Sequence, residues 1–297
     1  MTLPLLAGPA ASVDQTLRVA SARLAAARVD APRLVAEALL AQAISLSRVQ
    51  LLARAEQPLS PDQLERYHAL VGRCESGEPL AYVLGRREFY GLEFVVDRRV
   101  LIPRPETELL IETAIAVAQA RSESAHVGYA IADIGTGSGA IAVTLAACLP
   151  QARVIATDVS PEALVVAREN AQRHAVDDRV EFRAGDLLAP LDAPVDLIVA
   201  NLPYIRSAEC ARPPHAIRRY EPVVALDGGP DGLELVRRLL SEAPRAIRPG
   251  GSILIEIGAS HGDAAAELAR DAFAEAAEIQ VKADLAGLDR LLVIRTA

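Results

Sequence analysis

The sequence predicts an α/β protein in which a small helical region precedes a doubly wound sheet of mostly parallel strands. Three observations predict it. From residue 129 onward, short apolar runs alternate with stretches of helical length, the pattern of a sheet covered by helices on both faces. Residues 13–78 carry only helical spacing. Between the two, residues 80–103 switch to a strand-like pattern punctuated by glycines.

In the first region, Leu17, Ala20, Leu24 and Ala27 recur at helical spacing, and Asp30 with Pro32 marks a stop and a restart. A second helix is expected over residues 34–46. A third runs from Pro61 past Leu64, Tyr67 and Leu70, with Ser60 as its N-cap and Pro61 in its first turn. No titratable cluster stands out there, so partner docking or simple stability is expected of residues 1–80 rather than chemistry. Tyr82, Phe89, Tyr90, Phe94, Val95 and Val96, set among Gly85 and Gly91, suit a strand pair with a tight turn. They define a linker over residues 81–105, closed by Pro103 and Pro105. Helix resumes over 106–120 and opens the main domain, 106–297. Its strand candidates are 129–134, 153–157, 180–183, 195–200, 252–257 and 289–294, with helical patterns over 138–148, 161–175, 232–246 and 262–274. In such a sheet the ligand belongs at the carboxyl ends of the strands.

Length and composition narrow the function. A chain of 297 residues favours a large domain beside a smaller one. Apolar residues make up 51% and aromatics 3%, so the core is built from Ala, Leu, Val and Ile, with few rings to stack on single-stranded bases. A net charge of -8 disfavours direct nucleic-acid binding, because that affinity rests on Lys and Arg. Cys74, Cys148 and Cys210 are odd in number and far apart, which points to buried thiols and not to a disulfide or zinc framework. The five histidines show no metal-ligand spacing. The first ten residues lack a basic leader, and no uninterrupted apolar run reaches about 18 residues. A cytoplasmic protein with no membrane partner is expected.

Strand 129–134 ends in Asp133-Ile134-Gly135-Thr136-Gly137-Ser138-Gly139, directly before a helix. Glycines there permit a tight turn and a close backbone approach to a ligand. Gly135, Gly137 and Ala140 also satisfy a dinucleotide pattern, and Asp158 follows at a compatible distance, so the loop alone leaves the nucleotide open. Asp133 argues against a pyrophosphate, whose charge it would oppose, and suits a sulfonium ligand that carries an ammonium group. Asp158, closing Val154-Ile155-Ala156-Thr157-Asp158, can accept hydrogen bonds from both ribose hydroxyls. Asp186, after strand 180–183, could accept from an adenine amino group.

Strand 195–200 ends in Asn201-Leu202-Pro203-Tyr204-Ile205. This resembles the Asn/Asp-Pro-Pro-Tyr/Phe motif of methyltransferases that modify planar nitrogens and take S-adenosyl-L-methionine. An amide nitrogen is a poor nucleophile because its lone pair is delocalised into the carbonyl. Asn201 can accept one N–H through its side-chain oxygen and the Leu202 carbonyl can accept the other, which aligns the nitrogen; alignment of this kind supplies about 7–11 kcal/mol in the best cases. The acceptors also stabilise charge as it develops, and no strong general base is required. Tyr204 would pack against the flat amide. Leu202 stands where the motif usually has proline, but Pro203 still biases it toward extended backbone.

With these residues in place, the chain resembles the release factor N5-glutamine methyltransferases, the HemK/PrmC family, over essentially its whole length. Further matching stretches are Gly77-Glu78-Pro79-Leu80-Ala81-Tyr82, Glu88-Phe89-Tyr90-Gly91, Leu101-Ile102-Pro103-Arg104-Pro105-Glu106-Thr107-Glu108, Glu221-Pro222, Ala225-Leu226 and Gly228-Gly229. The resemblance implies a helical N-terminal domain, a strand-pair linker and a seven-stranded, Rossmann-like catalytic domain. It implies as target the glutamine of the Gly-Gly-Gln loop of class 1 peptide chain release factors. It also carries S-adenosylmethionine contacts to Gly135, Thr136, Gly137, Ser138, Gly139, Asp158, Asp186, Leu187 and Asn201, and substrate contacts to Asn201, Leu202, Pro203 and Tyr204. Leu187 stands where some relatives have a large aromatic. A glutamine methyltransferase acting on a ribosomal protein would share this chemistry, and an N6-adenine nucleic-acid methyltransferase would use the same tetrapeptide. A non-catalytic nucleotide-fold module is a further alternative, as is an NAD oxidoreductase, for which no proton donor of the usual kind is evident.

Overall fold

Three helices of the N-terminal region begin with the same device. Ser12, Ser47 and Ser60 each cap their helix, and Gln15, Gln50 and Gln63 close the reciprocal bond to the cap backbone. In the computed structural model, which describes residues 11–122, 128–210, 219–274 and 277–297, the chain divides into two compact units, residues 1–85 and 86–297. The first ten residues, read above for a leader, lie outside the described part.

The first unit is helical: Val13–Ala26, Pro32–Ile44, Arg48–Leu52, Pro61–Glu75 and Leu80–Leu84. The apolar stripes of the long helices meet in one core that includes Leu17, Leu24, Leu39, Leu40, Tyr67 and Val71. Tyr67 is fully buried and its hydroxyl donates to the Ala36 carbonyl at 3.2 Å, so its one polar atom is satisfied. Glu37 is buried as well. Burial alone would raise its carboxyl, but hydrogen bonds from Arg33 and Arg48 outweigh that and hold it below the usual range. Two short elements depart from the expectation. Arg48–Leu52 is an extra helix, and Tyr82 lies in helix Leu80–Leu84 rather than in the strand pair.

The second unit opens with strands β1 (Arg86–Phe89) and β2 (Leu92–Val95), an antiparallel pair in which Phe89 faces Leu92. Tyr90 and Gly91 both have positive φ, 51° and 75°, which matches the twist of a two-residue hairpin. Asn170, buried in helix Pro161–Arg173, accepts from Val95 N at 2.7 Å through Oδ1. Its Nδ2 donates to Val95 O at 3.0 Å and to Ser138 O at 2.9 Å. One side chain thus ties the hairpin both to that helix and to the glycine loop.

The main sheet contains β3 (Ala130–Ile134), β4 (Arg153–Asp158), β5 (Val180–Ala184), β6 (Val195–Ala200), β7 (Ile247–Glu256), β8 (Ala277–Ala283) and β9 (Asp289–Thr296). Their order is β5-β4-β3-β6-β7-β9-β8; the first five run parallel, and β9 is antiparallel to both β7 and β8. The chain therefore winds outward from β3 to β5 and then returns to β6 on the other side of β3. The crevice of such a fold opens where that direction reverses, between β3 and β6. Strand β8 was not expected from the sequence. The three cysteines are free; Cys74 is buried as expected, whereas Cys148 is exposed and Cys210 partly so. Among the described residues no helix is long and apolar enough to cross a membrane, and no cluster of metal-ligating side chains occurs.

Candidate active site

Parallel register sets the geometry. Ile134 of β3 pairs with Ala200 of β6, and Ala200 pairs with Ile255 of β7. The next residues, Gly135 and Asn201, consequently leave the sheet side by side at the reversal point, and Glu256, the last residue of β7, stands next to Asn201 in register.

The glycine loop is built on β4 and on its own strand. Gly135 N and Thr136 N both donate to Thr157 O at 2.9 Å. Gly135 has φ of 74°, and a Cβ there would lie 3.3 Å from Leu202 Cδ2. Its missing side chain is the room that Leu202 uses. Asp133 is completely buried, and its Oδ2 accepts from Thr136 Oγ1 at 2.7 Å and from Ala142 N at 3.0 Å. Its Oδ1 has no hydrogen-bond partner among the described residues, and burial pushes the carboxyl up to about 7. Asp158 accepts Gly137 N on Oδ2 and Ser160 N on Oδ1, each at 2.8 Å; burial raises its carboxyl against those bonds.

Of the residues picked out in the sequence, Gly135, Thr136, Gly137, Ser138, Gly139, Asp158, Asn201 and Leu202 are brought together here. Thr136 and Ser138 are buried, and the Thr136 hydroxyl is turned inward to Asp133. Asp186 is exposed and ion-paired with Arg238. Leu187 is buried in the core with φ of 45°, and its carbonyl accepts from Thr157 Oγ1 at 3.1 Å.

The loop after β6 is braced from two sides. Ile205 N donates to Leu226 O at 3.0 Å and Gly228 N to Ile205 O at 2.8 Å, so the Ala225–Gly229 segment pairs with the tetrapeptide's exit. A Cβ on Gly228 would stand 2.5 Å from Pro203 O and 2.8 Å from Tyr204 Cα. Only glycine permits that approach. Glu221 is buried; its Oε1 accepts Ile102 N at 3.2 Å, and both its oxygens accept from Arg104, at 2.8 and 2.6 Å. The Ile-Pro-Arg-Pro-Glu-Thr segment is held to this loop by that fork. Tyr204 is largely enclosed, and burial lifts its phenol to about 12.

Three residues escaped sequence reasoning. Asn201 Nδ2 donates to Thr107 Oγ1 at 3.0 Å, and Thr107 is buried. Glu256 is 1% exposed, with neither oxygen in a well-formed hydrogen bond among the described residues. Burial pushes its carboxyl up to about 7, while neighbouring Thr107, Arg290 and Asn201 pull the other way. The signal for Glu256 was present: an acid ending the apolar run Ile253-Leu254-Ile255, as Asp133 and Asp158 end theirs. The third, Asn170, carries no such mark.

The residues fit S-adenosylmethionine. An orphaned buried carboxylate oxygen, a loop of glycines and a second carboxylate at the next strand end suit a cationic, ribose-bearing ligand better than a pyrophosphate.

Comparison with known proteins agrees. Residues 15–85 match the family described as PrmC N-terminal domain, and residues 125–290 match the one described as Methyltransferase domain. The release factor glutamine methyltransferase of Moorella thermoacetica is 48% identical over 247 residues, 83% of this chain and 85% of that protein. The release factor glutamine methyltransferase of Bradyrhizobium diazoefficiens is 39% identical over 285 residues, 96% of this chain and 95% of its own. A methyltransferase structure from Pyrococcus furiosus superposes with a TM-score of 0.50 at 19% identity, over 76% of this chain and 96% of that one, which bears on the fold alone.

Proposed function

Because the chain belongs to the release factor glutamine methyltransferase family, we propose that it methylates the side-chain amide nitrogen (N5) of the glutamine in the Gly-Gly-Gln loop of class 1 translation release factors. S-adenosylmethionine, when bound, supplies an electrophilic methyl group. Gly135, Gly137, Gly139 and Asp158 would hold it, with Asp133 offering its unpartnered oxygen to the cationic end. The rest is done by the loop after β6. Asn201 commits its Nδ2 to Thr107, which leaves Oδ1 as the acceptor for one N–H of the target amide. The Leu202 carbonyl takes the other, and Pro203 keeps Leu202 extended. Two acceptors fix the amide plane and draw off charge as the nitrogen becomes cationic. Tyr204 lies flat beside it, neutral at every physiological pH because burial lifts its phenol.

The single observation that carries this reading is the juxtaposition of the glycine loop with Asn201-Leu202-Pro203-Tyr204 at the reversal point of the sheet. Asp186 and Leu187 belong to the reading only as a flank of the adenine site, since Arg238 and the core already engage them. The partner is a protein and neither a nucleic acid nor a membrane, the place of action is the cytoplasm, and residues 1–80 serve as a docking surface. Mass spectrometry of purified release factors incubated with this protein and S-adenosylmethionine tests it: a gain of one methyl on the Gly-Gly-Gln glutamine supports the reading, and unmodified peptide overturns it.

A further inference from the structure

Glu256 has no part in the reaction as proposed, yet it sits at the end of β7, next in register to Asn201, almost without exposure and without a satisfied oxygen. Burying a carboxyl is costly unless neighbouring groups compensate, and three elements bring groups against this one. From the turn Pro105–Thr107 come the Thr107 hydroxyl and the Glu106 charge; from the loop after β6 come Asn201 and Tyr204; from β9 comes Arg290. Arg290 favours the ionised carboxyl and Glu106 opposes it.

The Thr107 hydroxyl has one proton. Its oxygen already accepts from Asn201 Nδ2 at 3.0 Å, so the proton is free to turn toward Glu256 beside it. An ionised carboxylate can only accept. It therefore selects donors on its side: the Thr107 hydroxyl and the amino end of the Asn201 amide. We propose that Glu256 and Thr107 are positioning residues that fix which way the Asn201 amide faces, so that Oδ1 and not Nδ2 is presented to the substrate. An Asn201 turned over would offer a donor to the N–H groups it has to accept from. The inference rests on the reaction proposed above and adds to it how the acceptor is kept an acceptor.

The test uses the full-length protein, intact release factor and S-adenosylmethionine. Glu256→Gln puts a donor where only an acceptor stood, and Thr107→Val removes the relay hydroxyl at nearly constant shape, whereas Thr107→Ser keeps it. Losing one oriented hydrogen bond is expected to lower kcat about tenfold in Glu256→Gln and Thr107→Val. The S-adenosylmethionine dissociation constant should hold within about twofold, and Thr107→Ser should restore most of the rate. Protonated Glu256 becomes a donor, so the wild-type kcat should fall as pH drops through about 7, the position to which burial moves this carboxyl. That acid limb should vanish in Glu256→Gln; a limb owed to Asp133, which is also pushed to about 7, would persist. Wild-type kcat in Thr107→Val, or an acid limb unchanged in Glu256→Gln, overturns the positioning role while an inactive Asn201→Ala leaves the reaction standing. Wild-type turnover in Asn201→Ala would instead remove the reaction reading itself. If Glu256→Gln does not fold, as judged by circular dichroism, the Thr107 pair decides alone.

Discussion

Replacing Asp158 by asparagine isolates what its charge does. The carboxylate divides its two oxygens between two backbone donors, Gly137 N and Ser160 N, each at 2.8 Å. An asparagine can satisfy one of them; its amino group then confronts the other N–H, donor against donor. A hydrogen bond to a charged acceptor contributes about 1.5–3 kcal/mol. Two effects compete over where that loss is felt. Burial already works against the charge, as the raised carboxyl shows, so the neutral amide recovers desolvation energy in the fold. The melting temperature should therefore move little. Ligand affinity has no such compensation, because the bond to Gly137 shapes the loop and the proposed ribose contact loses a charged acceptor. Asp158→Asn is expected to raise the S-adenosylmethionine dissociation constant about 10- to 150-fold. Isothermal titration calorimetry reads this directly, with a thermal melt as the control. Affinity within about twofold of wild type, in a folded variant, would refute the place given to Asp158.

Asn201→Ala is expected to cut transfer by about a hundredfold or more while cofactor affinity stays near wild type; single-turnover kinetics beside calorimetry separates the two. Gly228→Ala forces a methyl against Pro203 O and the Tyr204 backbone. A loss of about 1–3 kcal/mol in stability or rate, with the glycine loop still competent to bind, should appear in melts and in kcat. Asp133 and Glu256 both have folded values of about 7, above their ordinary 3.8 and 4.5. Their contribution to stability is full below the ordinary values and lost as pH rises toward about 7, so denaturant melts should weaken over that window, less steeply in Glu256→Gln. Intact release factor should be methylated with a far higher kcat/KM than a short Gly-Gly-Gln peptide. Ordering a flexible loop costs about 1–2 kcal/mol per residue, and contacts elsewhere must offset it; equal constants would leave residues 1–80 a stabilising role only.

What could be read from the sequence followed from local, periodic chemistry. The parallel strands announced themselves as apolar runs, and Ser60 with Pro61 marked a helix start that the structure reproduces. Strand β8 did not, because an edge strand half exposed to solvent offers only Ile279 and Val281 between Glu278, Gln280 and Lys282. Tyr82 reads as part of the strand pair because Gly85 serves equally well as turn punctuation; the buried faces of Tyr82 and Val83 in helix Leu80–Leu84 settle it only in three dimensions. The capping box at Ser47 was visible but heads a helix of five residues, too short for periodicity. In the candidate site, the glycine loop and Asp158 stand out in the sequence because strand ends gather ligand groups. Asp186 is a plain loop acid by sequence, and the fold adds Arg238, 52 positions away, as its ion-pair partner. Thr107 reaches Asn201 across 94 positions, a distance that no spacing rule spans.

The Asn170 amide has a consequence for mutation at that position. All three of its bonds are fixed in kind: one acceptance from Val95 N and two donations, to Val95 O and Ser138 O. Aspartate has the right shape and no donor, so two carbonyls would be stranded; glutamine has the right groups and an arm one methylene too long for a site with no exposure. Asn170 is thus a position where neither near relative of asparagine can stand in, because either one would cut the tie between the hairpin and the glycine loop, whereas the neighbouring Glu169 faces solvent and carries no such tie.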